Sequence, residues 1–176
     1  IGIESIGHSG DVDGLPATLL YLMIYSVLVI GTFTVVSLVT RTGDSDSDIG
    51  SFRGLGKERP ALALAMTVFL LAQAGMPLTS GFIAKFSVIK AAATNQSYAI
   101  AIIAMVASVI AALLYLRIMI SMWLSDEESG DDKREAIKVP FTAGFVVAGS
   151  AFFTLLVGVW PDWLIDASQA ALQLAK

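Results

Sequence analysis

A lysine beside a glycine- and proline-rich stretch is the feature of this sequence best suited to chemistry. The segment Gly75-Met76-Pro77-Leu78-Thr79-Ser80-Gly81 interrupts a long apolar stretch, and Lys85 follows it by four residues. Glycine and proline close together break the hydrogen-bond ladder of a helix. Non-helical backbone at membrane depth persists only where protein buries it or where it lines a water-filled cavity. We therefore interpret Gly75, Pro77 and Gly81 as a break in a membrane helix, and the break as the sign of an ion site.

Lys85 itself stands among apolar side chains, and residues 60–93 contain no acidic residue. A lysine at the centre of a membrane span costs about 2.5–3.5 kcal/mol on insertion scales, and such residues usually mark an ion path. Desolvation disfavours the ammonium form, so the amine can take up and release a proton. The sequence does not decide whether the helix dipoles stabilise or destabilise the ammonium form. The second half-helix begins with a positive end, which repels a cation, and the first ends with a negative end, which attracts one. The alternative is that Lys85 snorkels to the outer interface near Ala93, about 12 Å away.

Other polar residues of the apolar stretches are weaker candidates. Lys90 is nearer the outer surface, where an interfacial anchor is the simpler interpretation and the next proton stop is the alternative. Arg117 is expected to snorkel, and His8 is expected to lie in a solvated loop. Hydroxyl and amide groups could hold a water chain or simply bond neighbouring helices; they belong to Tyr25, Ser26, Thr32, Thr34, Gln73, Thr79, Ser80 and Tyr115. The possible proton path that we retain beside Lys85 consists of Lys90, Thr79, Ser80, Tyr115 and Tyr25.

The elements that carry these residues are membrane helices. Of the 176 residues, 56% are hydrophobic and 15% are charged, whereas soluble domains have about 25% charged residues. The apolar residues predict transmembrane spans at about 17–40, 60–93, 98–123 and 141–160, with the second span broken at 75–81 and an interfacial helix at about 162–175. The predicted fold class is all-α integral membrane, with about four transmembrane helices in a single membrane domain over residues 1–176.

Composition also excludes several classes of function. The net charge of −4 and the lack of a basic groove exclude nucleic acid as a partner. The sequence has no cysteine and one histidine, which removes iron–sulfur and bis-histidine haem ligation. We therefore expect no metal, no cofactor and no redox chemistry in this chain. The sequence begins at Ile1 without a signal-peptide pattern and has the character of a piece of a longer protein.

Positive charge predicts the orientation of the spans. Lysine and arginine concentrate in the loops at 41–59 and 126–138, which therefore face the cytoplasm. An even number of crossings then places both ends of the chain on the outer side.

Several motifs together resemble one family of membrane proteins. They are Phe52-Arg53-Gly54-Leu55-Gly56, Arg59-Pro60, the stretch from Gln73 to Phe86, Leu114-Tyr115-Leu116-Arg117 and Gly158-Val159-Trp160-Pro161. In these the chain resembles the antiporter-like membrane subunits of bacterial respiratory complex I. The resemblance implies the C-terminal part of a larger helix bundle, in which Lys85 matches the lysine in the outward-facing half of the proton path. The family's first discontinuous helix, and the glutamate and lysine pair that receive protons from the cytoplasmic side, would belong to the N-terminal part.

The same resemblance implies the surroundings of the protein. Its partners would be the lipid bilayer and other membrane-arm subunits, in the bacterial cytoplasmic (inner) membrane. NADH, FMN, iron–sulfur clusters and quinone would bind to other subunits, and the chain would couple their electron transfer to proton transport. One alternative is a subunit of a multisubunit cation/proton antiporter, although the loop at 51–60 favours complex I. The other is a membrane scaffold, which predicts that Lys85→Met would be silent.

Overall fold

The structure is a computed structural model that describes residues 14–40, 52–124 and 139–174. Within these ranges every regular element is a helix. In chain order the helices are α1 (Gly14–Thr40), α2 (Leu55–Glu58), α3 (Pro60–Ala74), α4 (Ser80–Thr94), α5 (Tyr98–Leu124), α6 (Phe141–Val159) and α7 (Asp162–Leu174). His8, residues 41–51 of the predicted loop at 41–59, the predicted loop at 126–138 and the end of the predicted interfacial helix lie outside the described residues.

The helices have the length and composition of membrane spans. Among the described residues, α1, α5 and α6 are long and apolar enough to cross a bilayer, and α3 is a shorter apolar helix. The predicted all-α membrane fold class is confirmed. Helices α3 and α4 have 15 residues each, or about 22 Å at 1.5 Å per residue. Because each is shorter than the roughly 30 Å of a bilayer core, only the two together are long enough to cross it.

Helix α1 lies at the centre of the core. Ile24 and Leu28 are fully buried, as are Phe69 of α3 and Val157 of α6, and all of them belong to one hydrophobic cluster. Gly31 provides the space for this packing, since a Cβ atom there would lie 2.5 Å from the tip of the Phe69 ring. This contact therefore fixes the position of α3, the first half of the broken span, along α1.

Helix α5 has the opposite character and is exposed along most of its length. Only Ala101 and Met122 of this helix are buried, while residues such as Ile103, Val109 and Leu113 are more than half exposed. A soluble protein seldom exposes so large an apolar face. In a bilayer such a face is the expected surface, because lipid tails solvate it as well as protein would.

The boundaries differ from the predicted ones by more than one residue in three places. The non-helical segment is residues 75–79, because Ser80 and Gly81 already form the first turn of α4. Helix α1 begins three residues earlier than position 17, with Pro16 inside its first turn, where a missing N–H is tolerated. The short helix α2 lies in a segment predicted as a loop. Burial of Leu55 against the hydrophobic core stabilises this helix.

The motif around Gly56 anchors α2 against α5. A Cβ atom at Gly56 would lie only 2.7 Å from the Trp123 ring, so the absence of a side chain at Gly56 makes room for the ring. The Nε1 atom of Trp123 donates a hydrogen bond of 2.9 Å to Thr67 Oγ1 of α3.

We expect Trp123→Phe to lower the free energy of unfolding by about 0.5–1.5 kcal/mol, because it removes that bond and keeps most of the ring packing. Thermal denaturation of the protein in detergent measures the loss. Thr67→Val should produce a similar loss and add little to Trp123→Phe; additive losses would show that the two groups act separately.

Candidate functional site

The first half of the broken span ends in a glycine cap. Gly75 has a φ of +88°, a left-handed conformation that favours glycine. Its N–H donates to the carbonyl of Ala72 at 2.9 Å, and the N–H of Met76 donates to that of Leu71 at 3.0 Å. These two bonds form the Schellman pattern of a helix C-terminus. The next residue that could continue the ladder is Pro77, which has no N–H to offer to the carbonyl of Gln73.

Lys85 fills the position that the backbone leaves open. Its Nζ donates to the carbonyl oxygen of Gln73 at 2.7 Å and is 3.3 Å from that of Ala74. The ammonium group thus lies at the negative end of the α3 dipole, at the break where α4 also begins. The Lys85 side chain therefore points back toward the break and away from Ala93, which does not fit outward snorkelling.

Close backbone contact brings the two half-helices together. A Cβ atom at Gly81 would overlap the carbonyl oxygen of Ala72 and lie 2.6 Å from its carbon. A Cβ atom at Gly75 would lie 3.1 Å from Lys85 Cδ. Both glycines of the predicted break therefore adjoin the lysine or the helix end that it caps. Pro77 is exposed, so its contribution is to the backbone and not to packing.

The remaining residues of the break differ in their environment. Leu78 has a φ of +67°, and its side chain is 70% exposed. Thr79 is buried and donates its hydroxyl to the carbonyl of Met76 at 2.6 Å. Ser80 is completely buried, and its hydroxyl has no hydrogen-bond partner among the described residues. Buried polar groups without a protein partner are uncommon, and a buried water commonly satisfies them.

Helix α6 supports the break from one side. A Cβ atom at Gly158 would lie 2.5 Å from the carbonyl carbon of Leu78 and from the Cα atom of Thr79, and would overlap the Leu78 oxygen. The sequence marked Gly158 only as part of a terminal motif. Its contact with the break joins residues about eighty positions apart, which no local pattern predicts.

A cavity of about 390 Å³ lies beside Lys85, between α1, α4 and α5. Its polar lining groups include Lys85, Tyr25 and Ser108, and the rest of its wall is mainly aliphatic. The ring of Tyr25 stacks on that of Tyr21, with centroids 4.4 Å apart, and Tyr21 also lines the cavity. Of the predicted path residues, Tyr25 thus shares a cavity with Lys85. Both Tyr25 and Tyr115 pack against the hydrophobic core, but Tyr115 does not line this cavity. Tyr21 and Ser108 were not among the predicted candidates.

Lys90 lines a different cavity. It is exposed and lines a space of about 650 Å³ between α1, α4 and α7, together with Ser87, Thr94 and Ser168. Positions 85 and 90 lie about 140° apart around a helix, which puts their side chains on different faces. The structure therefore does not bring Lys85 and Lys90 together.

Two polar residues that the sequence marked only as possible water-chain members form a pair. The Nε2 atom of Gln73 donates to Thr32 Oγ1 at 2.6 Å. Ser26 and Thr34, from the same set, bond only to carbonyl groups of their own helix in the described structure. Within the described ranges, no group of three or more His, Cys, Asp or Glu side chains could hold a metal ion.

The fold and the site define an integral membrane protein of α-helices with one discontinuous span. Residues 2–111 match the sequence model of the family described as NADH:quinone oxidoreductase/Mrp antiporter, TM, and the chain belongs to this family. The family expected from the sequence motifs is thereby confirmed.

Curated relatives resemble nearly the whole chain. It is 36% identical over 98% of its length to NADH-quinone oxidoreductase subunit N 3 of Streptomyces griseus, covering 32% of that protein. It is 39% identical over 97% of its length to NADH-quinone oxidoreductase subunit N of a Parafrankia species, again covering 32%. Over its full length it is 36% identical to subunit N of Mycobacterium tuberculosis, covering 35%. The chain thus spans about a third of the length of these relatives.

Two solved structures share the fold. Respiratory complex I from Thermus thermophilus with bound aureothin matches with a TM-score of 0.73 and 23% identity, over 86% of this chain and 34% of the matched chain. The Mrp complex from Dietzia matches with a TM-score of 0.67 and 22% identity, over 90% of this chain and 37% of the matched one. These similarities concern the fold alone.

Proposed function

We propose that this chain is part of a proton-translocating membrane subunit of a bacterial NADH:quinone oxidoreductase, and that Lys85 carries the proton. The observation that carries the proposal is the bond from Lys85 Nζ to the Gln73 carbonyl at the helix break, beside a cavity that can hold water. Relatives named NADH-quinone oxidoreductase subunit N support the assignment to this complex.

In the proposed step, the Lys85 ammonium releases a proton to water in the cavity, and the remaining neutral amine later accepts another. The carbonyl oxygens of Gln73 and Ala74 stabilise the ammonium form. The aliphatic wall of the cavity favours the neutral amine. Because these opposing influences act on one nitrogen, both protonation states are accessible at the same place. Tyr25 and Ser108 are the groups that would hold the first waters of the path.

The break itself would contribute through Thr79 and Ser80. The Ser80 hydroxyl, which has no partner within the described ranges, offers a water a buried bonding site close to the non-helical backbone. The cavity with Lys90 is separate, so we leave Lys90 outside the first step and assign it to the neighbouring membrane interface. Tyr115 is assigned to packing.

The surroundings follow from the same proposal. The partners are other membrane-arm subunits and the lipid bilayer of the bacterial cytoplasmic membrane, with the loops at 41–59 and 126–138 on the cytoplasmic side. NADH, FMN, the iron–sulfur clusters and quinone bind to other subunits, and no cofactor binds to this chain. Electron transfer in those subunits drives the proton transfer at Lys85.

We expect Lys85→Ala, placed in the full-length subunit of the assembled complex, to reduce proton uptake by inverted membrane vesicles about tenfold or more. The reason is that a positioned proton-transfer group typically contributes on the order of 100-fold to its step. NADH oxidation and proton uptake are recorded together, and native gels establish that assembly is intact. Wild-type values for both would overturn the assignment of Lys85 and favour a scaffold.

Lys90→Ala tests whether the cavity beside Lys90 contributes to proton uptake. We expect it to keep at least about half of the wild-type proton uptake, because Lys90 is exposed and lines a space that Lys85 does not share. The same vesicle assay measures it. A loss as large as that of Lys85→Ala would return Lys90 to the proton path.

A cation/proton antiporter subunit is the second candidate, because the Mrp complex from Dietzia shares the fold with a TM-score of 0.67. Purification of the full-length subunit from its native membrane distinguishes the two. Recovery of NADH dehydrogenase activity with the subunit supports the oxidoreductase. Recovery of further antiporter subunits without that activity supports the antiporter.

A further inference from the structure

Gln73 makes two polar contacts at the end of α3, one from its backbone and one from its side chain. Its carbonyl oxygen accepts the 2.7 Å bond from Lys85 Nζ, and its side-chain Nε2 donates the 2.6 Å bond to Thr32 Oγ1 of α1. Gln73 is buried, with 8% of the residue exposed. A buried amide is retained at such a position only when it has a partner, because its desolvation is otherwise uncompensated.

The hydrogen bonding of Thr32 fixes the direction of this contact. The Thr32 hydroxyl donates to the carbonyl of Leu28 in its own helix at 2.7 Å, so its oxygen is free to accept from Gln73. Next to it, Gly31 receives the ring of Phe69, one turn before Gln73. An apolar contact and a polar contact therefore lock α1 and α3 together at adjacent positions.

This lock determines where the carbonyl of Gln73 stands relative to α1. Helix α1 also carries Tyr21 and Tyr25, which line the cavity beside Lys85. The last turn of α3 is followed by non-helical backbone, so it has no continuing helix to hold it in place. We propose that Gln73 and Thr32 are positioning residues that hold Lys85 Nζ at the edge of this cavity. The inference rests on the proposed proton transfer at Lys85 and adds to it the pair that orients the lysine's acceptor.

Thr32→Val is the direct test, because valine keeps the shape of threonine and removes the hydroxyl. It is placed in the full-length subunit of the assembled complex, with Thr32→Ser as the variant that restores the hydroxyl. Thr40→Val is the matched control: Thr40 lies on the same helix and its hydroxyl bonds only to its own helix, to the Val36 carbonyl, in the described structure. Gln73→Leu removes the same bond from the other side.

The readout is the pH dependence of proton uptake per NADH oxidised, at equal amounts of assembled complex. The titratable groups of α1 that face Lys85 are Tyr21 and Tyr25, and α4 itself carries Lys90. Helices α3 and α6 contain no ionisable residue, and α5 contributes Tyr98, Tyr115 and Arg117. We expect Thr32→Val and Gln73→Leu to shift the midpoint of the profile by about half a pH unit or more. Thr32→Ser and Thr40→Val should keep the wild-type midpoint.

The outcomes separate this inference from the proposed function. If Lys85→Ala abolishes uptake and Thr32→Val leaves the midpoint unchanged, Lys85 carries the proton without help from Gln73 and Thr32, and only the inference fails. If Thr32→Val lowers the amount of assembled complex without moving the midpoint, the pair is structural and the inference also fails. If Lys85→Ala behaves like wild type, both fail together.

Discussion

Gly158→Ala is expected to reduce the amount of assembled complex severely. The new Cβ atom would lie 2.5 Å from the carbonyl carbon of Leu78 and from Thr79 Cα. These atoms belong to the backbone of the break, which the bond from Thr79 to the Met76 carbonyl holds in place, so neither can move aside as a flexible side chain would. Overpacking of this kind costs typically 1–3 kcal/mol or more. The amount of intact complex on native gels measures the effect.

Gly149→Ala provides the control within the same helix. A Cβ atom there would meet no atom within 4 Å. We expect it to assemble like wild type, because alanine favours a helix over glycine by about 1 kcal/mol. Equal assembly of both variants would show that α6 does not press against the break.

Gly75→Ala is expected to impair proton uptake more than assembly. Alanine at a φ of +88° carries a strain of about 1–2 kcal/mol. In addition, its Cβ atom would stand 3.1 Å from Lys85 Cδ, closer than ordinary van der Waals contact. Lys85 Cδ must then give way by a few tenths of an ångström, and we expect this to disturb the bond from the ammonium group to the Gln73 carbonyl. Proton uptake by inverted vesicles at equal complex content is the measurement, and we expect it to fall by about tenfold.

Two further variants divide this effect into its parts. Gly75→Asn keeps the contact with Lys85 but tolerates the left-handed backbone better than alanine does, so it should assemble better and still impair uptake. Gly144→Ala, whose Cβ atom would meet only Val139 Cγ1 at 3.6 Å, should change neither quantity. Full uptake in Gly75→Asn would mean that only backbone strain matters at this position.

The break could be predicted from sequence because its cause is local. Glycine and proline remove helical hydrogen bonds wherever they stand, so Gly75 and Pro77 located the interruption without any tertiary information. The sequence predicts its end two residues too late, because Gly81 has the composition of the break. In the structure Gly81 is helical, and its missing side chain instead allows α4 to begin against the carbonyl of Ala72.

The surroundings of Lys85 could not be predicted in the same way. The direction of its side chain decides whether the ammonium group reaches the carbonyl end of α3, and that direction depends on which carbonyl groups the Schellman bonds and Pro77 leave open. The pairing of Gln73 with Thr32 joins positions 41 residues apart. The separation of Lys85 from Lys90 depends on which helices pack against each face of α4, which the sequence of α4 alone does not contain.

The bonds from Lys85 to the carbonyl end of α3 also have a consequence for synthesis of the chain in the membrane. Until residue 85 has been made, the carbonyl groups of Gln73 and Ala74 have no ammonium group to accept from, and unsatisfied backbone groups are expensive in lipid. Helix α3 is also too short to cross alone. We therefore expect the insertion machinery to retain α3 until α4 follows, so that the pair leaves it as a single unit with its lysine already in place.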